Sequence, residues 1–171
     1  MHRNNITLIG MPGSGKSTVG VVLAKILNKA FLDTDITIQQ KSRQRLQDVI
    51  DRHGVDYFIR LENQVLSGIR AVNSVIATGG SAVYGAEAMK NLMRNSIVIY
   101  LKIPLNEVVK RIGNHSGRGI AIREGQSIEN LFYEREILYQ KYAEITIDCE
   151  NNSLEQVLEK IYYHLTEAGI V

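Results

Sequence analysis

ITLIGMPGSGKSTVGVVLAKIL, Ile6 to Leu27, passes from a short apolar run through a glycine-rich turn into a helical pattern. Within it, Gly10 to Ser17 fit the pattern GxxxxGK[ST]. Glycines let the backbone turn tightly and aim successive N–H groups at phosphate oxygens. The helix that follows adds its positive N-terminal end. In such a turn Lys16 reaches the β- and γ-phosphates of a nucleotide, and the Ser17 hydroxyl coordinates Mg²⁺. A strand before the motif and a helix after it are the context the motif requires, so the stretch predicts a nucleotide site opening an α/β domain.

Outward from this turn, apolar runs predict further strands at Ala30–Asp33, Ser74–Thr78, Ser96–Ile103 and Glu144–Asp148, with the first at Ile6–Gly10. Continuous runs such as SVIA and SIVIYL suit strands covered on both faces. Helical patterns separate them. Leu105, Val108, Val109 and Ile112 form one stripe, Ser127–Tyr142 reads as a helix whose Leu131, Ile137, Leu138 and Tyr139 look like core, and Ser153 to Gln156 spell a capping box. Alternating strands and helices imply a parallel sheet of five strands, with ligands gathering beyond the strands' carboxyl ends.

The chain of 171 residues suits a single domain, 1–171, and carries a net charge of only +2 with its basic residues scattered. That distribution makes no case for nucleic acid as a partner. No apolar run approaches the ~20 residues of a membrane span, and no signal peptide is visible ahead of the first strand. The one cysteine, Cys149, forms no internal disulfide and reads as a small buried hydrophobe. A cytoplasmic setting follows as the expectation.

Polar residues cluster just after strands, where ligands should lie. FLDTDIT carries Asp33 and Asp35. Read as extended, the segment points both carboxylates to one side, with Asp33 at a Mg²⁺-bound water and Asp35 accepting from substrate hydroxyls and helping to take a proton. The competing reading makes Asp35 or Thr34 a helix N-cap. Gly79 and Gly80 in ATGG permit a ligand to approach the backbone closely, or simply make a turn. The segment 113–126 is glycine-rich, without a pattern of its own, and carries His115, Arg118 and Arg123; it is expected to act as a mobile lid. A lid arginine would neutralise charge on a transferred phosphoryl group. Arg135 lies among apolar neighbours, where a charge needs a partner: either a structural salt bridge or an anionic ligand.

Together GMPGSGKSTVG, FLDTD, ATGG, the arginines Arg111 and Arg118, and REILYQKYAEITID resemble the shikimate kinase family in order and spacing. The resemblance implies a P-loop kinase fold with a mobile lid, monomeric, transferring the γ-phosphoryl group of ATP to the 3-hydroxyl of shikimate in aromatic amino-acid synthesis. It implies that Gly13, Ser14, Gly15, Lys16, Ser17 and Thr18 hold ATP, that Ser17 and Asp33 serve Mg²⁺, and that Arg111 lies near the adenine. Lys16, Asp35 and Arg118 would be catalytic; Asp35, Gly79, Gly80 and Arg135 would bind the substrate, Arg135 at its carboxylate. The sequence departs from the family in three places. YFIRLE has Ile59 where the family's Phe-Arg-x-x-Glu has arginine, Ser81 replaces a third glycine, and the lid reads RGIA, with Gly119 where a proline is usual after the lid arginine.

Overall fold

A computed structural model describes residues 3–113 and 119–170. The sheet is built from β1 (Asn5–Ile9), β2 (Ala30–Asp33), β3 (Ser74–Ala77), β4 (Ser96–Lys102) and β5 (Ile145–Asp148), all parallel, in the order β2-β3-β1-β4-β5. The three inner strands are buried along almost their whole length, and the edge strands β2 and β5 are only partly covered. The apolar runs read from the sequence therefore mark the strands with both faces packed. The predicted boundaries hold to within one residue.

Helices α1 (Lys16–Ile26), α2 (Thr34–Ser42), α3 (Leu46–His53), α4 (Val55–Ser67), α5 (Ala86–Asn95), α6 (Leu105–Gly113), α7 (Ile128–Tyr142) and α8 (Leu154–Glu167) complete the chain, with a 3-10 turn at Ala82–Tyr84. Side-chain alternation assigns them to faces. Gly20 of α1 rests on Phe31 and Leu8, and Leu8 is in register with Ile99. Tyr139 of α7 stacks on Tyr100, the next residue along β4 and so on the opposite face. Ser96, on the same face as Tyr100, donates to Leu92 O of α5. α1 thus covers one side of the sheet and α5 and α7 the other. The capping box at Ser153 forms, and the predicted stripe of Val157, Leu158, Ile161 and Leu165 is buried.

Two expectations about helix faces need correcting. Ile137 is 68% exposed rather than core. Leu131, Arg135 and Tyr139 stand one above another at four-residue spacing, and Ile137 lies about 200° around from Arg135. Val109 is likewise on the outer edge of the α6 stripe, whose buried residue is Val108. No helix among the described residues is long and apolar enough to cross a membrane.

Candidate active site

Residues from the carboxyl ends of β1, β2 and β3, from α4, α6 and α7, and from 119–121 surround one cavity of about 310 Å³. Its floor is the turn between β1 and α1. Gly13 and Gly15 take positive φ, with Gly15 as the left-handed N-cap of α1. No side chain caps α1 and no acidic residue sits in its first turn, so its leading N–H groups and positive end face the cavity. The Lys16 ammonium donates to Gly10 O at 2.8 Å, Met11 O at 2.9 Å and the Ser14 hydroxyl at 3.3 Å. Burial lowers its pKa to about 8. Thr18 and Ser17 are exposed at the rim.

At the end of β2 the structure settles which residue caps α2. It is Asp33, whose carboxylate accepts from the Asp35 backbone N–H at 2.9 Å. Neither Asp35 nor Thr34 is the cap, and Asp35 lies in the first helical turn rather than on an extended segment. Asp33 also accepts from the Ser17 hydroxyl at 2.8 Å. A hydroxyl beside a carboxylate is a hard-oxygen pair that suits Mg²⁺ arriving with nucleotide phosphates. Among the described residues no group of three or more His, Cys, Asp and Glu could hold a metal by itself.

Asp35 is turned into the cavity. Its Oδ1 has no hydrogen-bond partner, and burial, reinforced by Asp33, raises its pKa to about 6. A second carboxylate, which the sequence reading left without a role, stands beside it. Glu62 of α4 is 1% exposed; its Oε2 accepts from the Ser81 hydroxyl at 2.5 Å and its Oε1 has no partner. Burial pushes Glu62 up to about 7. A Cβ on Gly79 would collide with Glu62 Oε1 and lie 2.8 Å from Asp35 Oδ1, so a side chain there would displace both carboxylates. The signal for Glu62 was a lone acid on the buried stripe of α4, with Phe58, Val65 and Leu66.

Across the cavity, Arg135 is completely buried. It donates to Ala121 O at 2.5 Å and to the Tyr84 hydroxyl at 3.3 Å, and lies over the Tyr84 ring. No carboxylate within 4 Å pairs with it among the described residues. Of the two readings of Arg135, the structural salt bridge is absent. A buried guanidinium that lines a cavity with no carboxylate paired to it has the chemistry to accept an anion.

Arg111 donates to Gly13 O at 2.9 Å and pairs with Glu107, bracing the phosphate turn from α6 while lining the cavity. Arg60 is exposed, and Arg123 pairs with Asp56 and Glu134; neither lines the cavity, so neither replaces an arginine at position 59. His115 and Arg118 lie outside the described residues. The described part of the expected lid is docked: Gly119 N–H donates to Gln47 of α3, and Arg123 reaches Asp56 of α4. The polar lining can thus hold a phosphate chain at one end and, at the other, a small molecule with hydroxyl groups and an anionic group.

The family model described as "Shikimate kinase" matches residues 12–166. A shikimate kinase from Sulfurihydrogenibium sp. is 35% identical over 160 residues, covering 92% of this chain and 95% of its own. Among solved structures, shikimate kinase from Acinetobacter baumannii in complex with shikimate superposes with a TM-score of 0.83 at 28% identity, covering 98% of this chain and 95% of that one. Shikimate kinase from Aquifex aeolicus gives 0.80 at 30% identity, over 97% and 98%.

Proposed function

This chain belongs to the shikimate kinase family, and from that premise we propose how its own residues phosphorylate shikimate at the expense of ATP. The observation that carries the proposal is the unpartnered Asp35 Oδ1, which faces the same cavity as Lys16 and Arg135. Arg135 takes the substrate carboxylate, with Gly79 and Gly80 as the close backbone wall. Asp35 accepts a hydrogen bond from the 3-hydroxyl and receives its proton as that oxygen attacks the γ-phosphorus. The bond from the γ-phosphorus to its bridging oxygen breaks, and ADP leaves. A carboxylate with pKa near 6 is ionised at neutral pH yet basic enough to share that proton.

Gly13, Ser14, Gly15, Ser17 and Thr18 hold the nucleotide phosphates, Arg111 lies beside the adenine, and Lys16 with Arg118 balances the charge that builds on the moving group. Ser17 and Asp33 would hold a Mg²⁺ ion arriving with the nucleotide, which would supply further neutralisation. All these groups come from one chain, so a monomer suffices. The lone buried thiol of Cys149 and the need for ATP favour the cytoplasm.

The deciding experiment follows ADP release from Mg-ATP with and without shikimate, in the wild type and in Arg135→Ala. Shikimate is expected to stimulate release in the wild type. Loss of a buried charge-assisted contact should raise the variant's KM for shikimate about 10- to 150-fold. A wild type indifferent to shikimate refutes the proposal.

Ile59 makes a second prediction. It stands three residues before Glu62 on α4, at the position where the family pattern has arginine, so an arginine there is expected to meet the free Glu62 oxygen and add a cation for the substrate carboxylate. Ile59→Arg is expected to lower the KM for shikimate about 10-fold or more. An unchanged or higher KM would mean that this chain holds the carboxylate by Arg135 in a different pose.

A further inference from the structure

Tyr139 is absent from the cavity wall, yet its hydroxyl is bound to the loop that forms it. The side chain is completely buried, its ring stacked 5.0 Å from that of Tyr100. Its hydroxyl donates to Gly80 O at 2.6 Å and lies 3.8 Å from the Met11 sulfur. Burial raises the phenol well above its ordinary range, so it remains a neutral donor at any working pH.

Gly80 needs such an anchor. A Cβ there would come within 2.8 Å of the Pro12 ring and 3.2 Å of Arg135 Nη1, so only glycine fits between the phosphate turn and the anion receptor. Gly79 is equally constrained by the two carboxylates. Two successive glycines make a backbone that rotates cheaply just where a substrate must be gripped. Thr34 holds the Gly79 N–H at 3.2 Å and Glu62 holds the Ser81 side chain. The peptide between Gly80 and Ser81 is left to Tyr139. In a trans peptide the C=O and the N–H point in opposite directions. Fixing Gly80 O on Tyr139 therefore aims the N–H of Ser81, a residue that lines the cavity, away from Tyr139.

We propose that Tyr139 is a positioning residue for the acceptor substrate: its hydroxyl sets the Gly80–Ser81 peptide so that the glycine wall presents one fixed backbone donor to shikimate. The proposal rests on the function assigned above. Arg135 and Tyr139 are one helical turn apart on α7, so one helix fixes both the guanidinium and the glycine wall beside Asp35.

The test compares Tyr139→Phe, which keeps the stacked ring, with Tyr100→Phe, which removes a buried hydroxyl that has no partner. Steady-state constants for both substrates, melting temperature and the Ser81 amide ¹⁵N shift are measured; that shift responds to hydrogen bonding at the preceding carbonyl. Tyr139→Phe is expected to move the Ser81 resonance, raise the KM for shikimate about 2- to 10-fold and lower kcat, with the KM for ATP unchanged. Tyr100→Phe should change none of these. An unmoved Ser81 resonance, an unchanged KM for shikimate, or equal rises in both KM values with a lower melting temperature overturns the positioning role. A wild type that ignores shikimate while Ser81 shifts in Tyr139→Phe instead locates the failure in the assigned function.

Discussion

Asp35→Asn is expected to lower kcat by about 10²- to 10⁴-fold while the protein still binds ATP. Asparagine keeps the shape at the start of α2 and still offers an oxygen to the substrate hydroxyl, but it cannot take the proton. Because it also removes a charge held at a pKa near 6 beside Asp33, the variant should fold at least as stably as the wild type. The pH profile checks the same point. Asp35 works ionised, so kcat/KM should rise with pH through an acid limb near 6 to 7, which belongs jointly to Asp35 and Glu62. It should fall again near 8 as the Lys16 ammonium loses its proton. An Asp35→Asn enzyme within tenfold of wild-type kcat would remove the carboxylate from proton transfer and leave it a hydroxyl acceptor only.

Lys16→Ala should reduce kcat by about 10²- to 10³-fold, the usual effect of removing one preorganised charge from a developing anion. It should also weaken ATP binding, because the ammonium is the cation on the floor of the cavity. The variant leaves Gly10 O and Met11 O without their shared donor, so the melting temperature is measured alongside turnover. A large fall in kcat at an unchanged melting temperature locates the effect in phosphoryl transfer. Turnover that survives the substitution contradicts the assigned role.

The phosphate turn, the five strands and the last helix were legible because each is written in contiguous residues: a motif of eight, strand runs of four to eight, a capping box of four. The acidic pair was only half legible. Asp33 and Asp35 were found, but the chain turns helical between them, and a two-residue spacing read as extended misplaces which one caps the helix. Arg135 was visible as a charge among apolar residues, yet the choice between ion pair and anion receptor depended on what α7 meets in space. Glu62 and Tyr139 acquire their roles through Ser81 and Gly80, 19 and 59 residues away along the chain. No local pattern encodes such a meeting. Ile137 shows the converse: an apolar residue on a helix implies burial only when its angle agrees with its neighbours.

The three acceptors that Lys16 has inside its own loop carry a consequence for selectivity among ligands. A phosphate gains this ammonium by exchange, displacing two carbonyl dipoles and a hydroxyl rather than stripping water from a free cation. Under the proposed function, concentrated negative charge should win that exchange and a weakly charged metabolite should not. The loop would then set a threshold on charge density, leaving a carboxylate such as that of shikimate to the guanidinium of Arg135, one glycine away from the phosphate turn.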